Sequence, residues 1–81
     1  LNITVQLYPP LKFPDGAEYH QLEVKEGLSI GDLLKRLEAE GAFGDYSYQA
    51  VFAMVENDVA INDYILKAGQ TVKILLRPAG G

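Results

Sequence analysis

Gly27-Leu28-Ser29-Ile30-Gly31-Asp32-Leu33-Leu34-Lys35-Arg36-Leu37-Glu38-Ala39-Glu40-Gly41 is the stretch that decides the fold. Ser29 is a good N-cap, and Asp32 three residues on completes a pair like a capping box. Leu28 before the cap and Leu33 after it hold the positions of a hydrophobic staple. Ile30, Leu33, Leu34 and Leu37 fall at i, i+3, i+4 and i+7, which makes one apolar stripe. Lys35, Arg36, Glu38 and Glu40 cover the opposite face, and Gly41 is a natural C′ stop. The spacing predicts a helix of about three turns. A helix that short does not stand alone in water. Its one stripe must cover a sheet, so the flanking segments have to supply strands.

They read that way. Ile3, Val5 and Leu7 alternate with Asn2, Thr4, Gln6 and Tyr8, the pattern of a half-buried strand. Pro9-Pro10 stops it, because neither proline can donate to a ladder. Lys12-Phe13-Pro14-Asp15-Gly16 reads as a turn or loop. Tyr19 to Val24 alternates again, with Leu22 and Val24 on one face, so the two strands make a hairpin with a long loop. After the helix, residues 42–50 carry Phe43, Tyr46 and Tyr48 and read as a packed loop. Val51 to Val55 is a strand with apolar residues on both faces. Glu56-Asn57-Asp58 turns the chain, and Val59-Ala60-Ile61 reads as a short strand. Asn62 to Leu66 reads as a helical turn capped by Asn62 or Asp63. Ala68-Gly69 then leads into the last strand, Thr71 to Arg77. The order is hairpin, helix, strand, short strand, final strand. That predicts an α+β two-layer domain with a mixed sheet of four to five strands and one main helix. It is the element order of the β-grasp, ubiquitin-like fold, in which the first and last strands lie side by side and parallel at the sheet centre.

The last stretch runs Val72-Lys73-Ile74-Leu75-Leu76-Arg77-Pro78-Ala79-Gly80-Gly81. Pro78 ends the pairing. Ala79, Gly80 and Gly81 have almost nothing to bury, so residues 1–77 read as the domain and 78–81 as a flexible tail. Two readings of the tail stand at this point. It is a frayed end, or it is a bare carboxylate able to thread a channel where any Cβ would clash.

Composition removes many alternatives. The 81 residues contain no cysteine, which excludes disulfides, thiolate metal sites and cysteine nucleophiles. His20 is the only histidine, so no histidine-based metal cluster is possible, and it reads as a surface or half-buried strand residue. Glu56, Asp58 and Asp63 read as turn acids and a helix cap rather than a metal set. The formal net charge of -4 argues against nucleic acid and anionic membranes as partners. No apolar run approaches the ~18 residues of a membrane span, and no signal peptide is visible. A cytoplasmic location is the expectation. No Gly-rich phosphate loop followed by Lys-Ser/Thr offers an ATP site.

The stretch Gly27-Leu28-Ser29-Ile30-Gly31-Asp32-Leu33-Leu34 with Leu37 resembles the helix start of the MoaD/ThiS family of ubiquitin-like sulfur carriers. Leu66-Lys67-Ala68-Gly69-Gln70-Thr71-Val72 resembles that family's approach to its last strand, and Gly80-Gly81 its reactive end. Asp63 to Gly81 also reads in register with the end of ubiquitin. Leu76-Arg77-Pro78-Ala79 departs from the Pro-Pro-Val-x-Gly-Gly ending of molybdopterin-synthase small subunits, keeping one proline and adding an arginine.

The resemblance implies a carrier and substrate rather than an enzyme. A terminal carboxylate is ionised at neutral pH and is a poor electrophile. An adenylating enzyme of the MoeB/ThiF type, using ATP and magnesium, would activate Gly81. A persulfide would convert it to a thiocarboxylate that donates sulfur in molybdopterin (or a related pterin) or thiamine synthesis. The receiving partner would be a MoaE-like synthase large subunit, which makes the chain the small subunit of such a complex, or a thiazole synthase. The alternatives are a ubiquitin-like modifier joined through Gly81 to lysines and a non-covalent β-grasp module. Pro78, Ala79 and Gly80 complete the expected tail, with no bound cofactor or metal. Phe52, Met54, Leu75 and Arg77 are the expected partner-binding residues. Alternation leaves open whether Phe52 and Met54 form an exposed patch or face the helix in place of Val51, Ala53 and Val55.

Overall fold

In the computed structural model, which describes residues 1–78, the hairpin opens the chain as strand β1 (Asn2–Leu7) and strand β2 (Tyr19–Glu23). They pair antiparallel from Asn2↔Glu23 to Gln6↔Tyr19. Ile3, Val5 and Leu7 are buried, as the alternation predicts. Leu22 is only half-buried, because β2 is an edge strand. The long loop between the strands contributes two core residues that its turn chemistry did not suggest, Leu11 and Phe13. A chain this small needs such additions, since it buries only about 60% of its unfolded surface.

Helix α1 (Ile30–Ala39) starts where the cap places it, with Asp32 N donating to Ser29 Oγ at 3.1 Å. Gly41 takes φ +85° at the stop, a conformation that favours glycine. Ile30, Leu33, Leu34 and Leu37 are all buried. Each such side chain contributes about 1.5–3 kcal/mol by leaving water. The stripe therefore outweighs the weak intrinsic stability of ten helical residues.

Strand β3 (Val51–Val55) and strand β4 (Asp58–Ala60) form a tight hairpin. Glu56 and Asn57 have φ of 53° and 70°, as a two-residue type I′ turn requires. That turn sets the register Val55↔Asp58 and starts β4 one residue earlier than alternation alone suggests. Strand β5 (Thr71–Leu76) closes the sheet in the order β2-β1-β5-β3-β4. It runs parallel to β1 and antiparallel to β3, so it is central and paired on both sides. This is the expected α+β, β-grasp architecture.

Two local expectations are corrected. Asn62 to Leu66 is not a helical turn. The carbonyls of Asn62 and Tyr64 accept from Gly31 N at 2.9 Å and Ile30 N at 2.8 Å, and Leu66 N donates to Leu28 O at 2.9 Å. Apart from one turn bond, Tyr64 N to Ile61 O at 3.0 Å, the backbone bonds of the segment go to the start of α1. A Cβ on Gly31 would lie 3.2 Å from Asn62 Cβ and Asn62 O, which accounts for a glycine inside the first helical turn. The loop after α1 is only partly packed. Ala42 and Phe43 are buried and Tyr46 is exposed, and Tyr48–Ala50 forms a 3-10 turn.

Candidate partner-docking face and tail base

In β3, Val51, Ala53 and Val55 are buried toward α1. Strand geometry then sends Phe52 and Met54 to the other face, where both are half-buried. Register brings their neighbours in. Phe52 lies opposite Leu75 on β5, and Met54 lies between Lys73 on β5 and Val59 on β4. Residues directly opposite in a sheet share a face. Phe52, Met54, Leu75 and Val59 therefore form one apolar area on the side that the helix does not cover. Val59 is 64% exposed, and Ile61 beyond it is 68% exposed. The opposite end of the same face is polar, with Thr4, Gln6 and Thr71. Apolar character is thus concentrated at the C-terminal end of β5. The sequence pattern marks Val59 only as a strand residue. The signal that it belongs here is the two-residue turn, which fixes it opposite Met54.

Arg77 follows β5 directly. Its N–H donates to Ala50 O at 2.9 Å and its Nε to Gln49 O at 3.1 Å. Its side chain is exposed, and among the described residues no carboxylate pairs with it. Pro78 is exposed. Ala79, Gly80 and Gly81 lie outside the described residues, and with them the expected reactive carboxylate and the expected flexible tail.

Glu38 departs from its sequence reading as a solvated helix charge. It is half-buried, and its Oε2 accepts from Tyr48 N at 2.8 Å. Lys35 Nζ stands 5.6 Å from the centre of the Tyr48 ring, within cation–π reach. No pattern in the sequence signals these contacts, which join residues ten or more positions apart.

The remaining candidates sort by their partners. His20 Nε2 is 2.8 Å from Asp15 Oδ2, and its ring meets Phe13 edge-on at 4.3 Å between centroids. Asp15 also accepts from Ala17 N at 2.9 Å. That backbone bond, then the bond to His20, holds its carboxyl below the ordinary 3.8. Glu56 accepts from Gln70 Nε2 at 3.4 Å, and Gln70 Nε2 also donates to Tyr64 Oη at 2.8 Å. Among the described residues no group of three His, Cys, Asp or Glu side chains could hold a metal ion. No helix among them is long and apolar enough to cross a membrane.

No protein-family model matches the chain, and no curated protein matches it in sequence. Solved structures do match it in shape. SAMP1 from Haloferax volcanii superposes with a TM-score of 0.74 at 20% identity over 100% of both chains. A structure from Pyrococcus furiosus described as molybdopterin converting factor, subunit 1 gives 0.72 at 20% identity, over 94% of this chain and 97% of that one. ATBAG1, solved in complex with HSP70, gives 0.69 at 15% identity, covering 98% of this chain but 41% of that one. At such identities the likeness establishes the ubiquitin-like β-grasp fold. The same fold serving as part of a longer chain shows that it names no function by itself.

Proposed function

We propose that the chain is a sulfur carrier whose Gly81 carboxylate is activated by adenylation and converted to a thiocarboxylate. The observation that carries this reading is the base of the tail. β5 is paired on both sides, Arg77 is tied to Gln49 and Ala50, and the Phe52, Met54 and Leu75 face lies beside that exit. An apolar face next to an anchored exit suits a partner that must grip the domain while it works on the residues beyond.

In this reading a carboxylate oxygen of Gly81 attacks the α-phosphorus of ATP, a P–O bond forms and pyrophosphate leaves. The partner supplies magnesium and positioning. A persulfide sulfur of a donor protein then attacks the acyl carbon and AMP leaves. A second thiol cleaves the resulting S–S bond, which releases the thiocarboxylate and leaves a disulfide on the donor. The activating enzyme would be of the MoeB/ThiF type. Pro78 and the Asp32-Leu33-Leu34 helix start favour a pterin pathway with a MoaE-like large subunit over thiamine and its thiazole synthase.

A second reading is kept because another matching structure, with a TM-score of 0.70 at 20% identity, is that of the H. volcanii small archaeal modifier protein 1. There the adenylate passes to a lysine amine and ends in an isopeptide bond. Intact-mass spectrometry after incubation with the activating enzyme, ATP and a persulfide donor separates the two. Exchange of one oxygen for one sulfur at the terminus supports the carrier. Lysine-linked adducts recovered from cells support the modifier. No ATP-dependent change with any activating enzyme would remove both.

A further inference from the structure

The 3-10 turn Tyr48–Ala50 is tied at both ends. Its first N–H, from Tyr48, donates to Glu38 Oε2 on α1 at 2.8 Å. Its last two carbonyls, Gln49 O and Ala50 O, accept from Arg77 Nε at 3.1 Å and Arg77 N at 2.9 Å. Between them Ser47 Oγ accepts from Gln49 N at 3.2 Å and fixes the turn's start. A half-buried carboxylate on a backbone N–H is a charge-assisted bond, stronger than a neutral one. A continuous chain of hydrogen bonds therefore runs from the helix, through the turn, to the residue at which the tail begins.

We propose that this turn is a splint that fixes the direction in which the chain leaves the domain at Arg77 and Pro78, with Glu38 and Arg77 as its positioning residues. The inference rests on Gly81 being the reacting group. Pro78 stiffens the joint, since its ring fixes its own φ and confines Arg77 to extended backbone. Direction set at Arg77 is thus kept through Pro78. Four residues reach at most about 13 Å, so the position of Arg77 bounds where the Gly81 carboxylate can be presented. A misplacement of about 1 Å at a reacting centre can already cost on the order of 10²-fold in rate.

The test is ATP–pyrophosphate exchange with an activating enzyme of the MoeB/ThiF type, run on wild type, Glu38→Ala, Arg77→Ala, the double variant and Glu38→Gln. Each alanine variant is expected to lower kcat/KM about tenfold at a temperature well below its Tm. Because both act through one splint, the double variant should fall no further than the worse single one. Glu38→Gln keeps an oxygen acceptor and should recover most of the loss. Losses that multiply in the double variant would overturn the proposal. Tyr48→Pro, compared with Tyr48→Ala so that the loss of the ring beside Lys35 cancels, removes the N–H that Glu38 accepts at a first-turn position where proline is tolerated, and the difference should match the Glu38→Ala loss. Hydrogen exchange reads the splint without any activity. The Arg77 amide should exchange about tenfold faster in Glu38→Ala. Unchanged exchange would overturn the splint whatever the kinetics, whereas a wild type inert to every activating enzyme would instead remove the reading of Gly81.

Discussion

The two faces of the sheet are built from the same strands and differ in fate. Val51, Ala53, Val55, Val72 and Ile74 lie under α1 and are at most 4% exposed. Phe52, Met54, Lys73 and Leu75 alternate with them and stay half-buried on the other side. On β3 side-chain chemistry does not separate the two sets, since every position there is apolar. Size is a better guide. The covered set on β3 is Val, Ala and Val, beneath a helix that brings three leucines and an isoleucine. Phe52 and Met54 are the bulkier pair and occupy the side where, among the described residues, no helix competes for space. Apolar residues on a strand thus carry two roles, and the helix decides which set is core.

The largest expected effect comes from opening the covered face. Ile74→Ala should cost about 2–5 kcal/mol, the lost burial plus the cavity left behind. Urea unfolding would show it as a lower midpoint at unchanged m. A cost under about 1 kcal/mol would mean that the covered face is not the core. Ser29→Ala comes next. It removes the acceptor of Asp32 N and should cost about 1 kcal/mol, a loss that Ser29→Asp should largely avoid.

Leu75→Ala, one residue from Ile74, should change stability by less than about 1 kcal/mol, since its side chain keeps water contact when folded. In the proposed docking role its effect would fall on partner binding. In titration calorimetry against the activating enzyme or synthase large subunit, Leu75→Ala and Phe52→Ala should each weaken binding at least tenfold, a loss of about 1.4 kcal/mol or more. Unchanged binding in both would leave the open face without a docking role. Equal destabilisation by Ile74→Ala and Leu75→Ala would erase the distinction between the faces.

Most of the fold was legible because the helix carries its own punctuation. Ser29, Asp32, the stripe and Gly41 fixed one element, and its need for cover implied the sheet. What stayed hidden depends on contacts across the sequence. Asn62 to Leu66 has caps and apolar residues enough for a helical turn, but the start of α1 claims its carbonyls. Glu38 looks like any helix-surface acid until the returning chain brings Tyr48 N to it. The open face was legible only as one of two choices, because Val51 to Val55 reads apolar in both phases. The expected reactive group, Gly81, rests on sequence and resemblance alone.

The smallest expected effect lies at the rim of the covered face. His20 pairs in register with Val5, and Phe13 packs edge-on against its ring, so the long β1–β2 loop seals the core at that edge. Asp15 clasps the loop by accepting from Ala17 N and contacting His20 Nε2. Both bonds favour the charged carboxylate and hold its pKa below 3.8. A carboxyl with a depressed folded pKa adds stability that is present above its unfolded pKa. That contribution disappears as pH falls through the folded value. Asp15→Asn can still accept from Ala17 N but carries no charge. Urea midpoints for the two proteins, compared from about pH 6 down to about pH 2, should differ slightly at the upper end and converge at the lower. A difference that persists undiminished below the folded pKa would assign the clasp to shape rather than charge. Among the described residues no carboxylate ion pair borders Phe52 or Leu75, so acid should loosen the loop beside Phe13 before it disturbs either. The order in which amide signals at Phe13 and Leu75 shift in an acid titration checks that sequence of events.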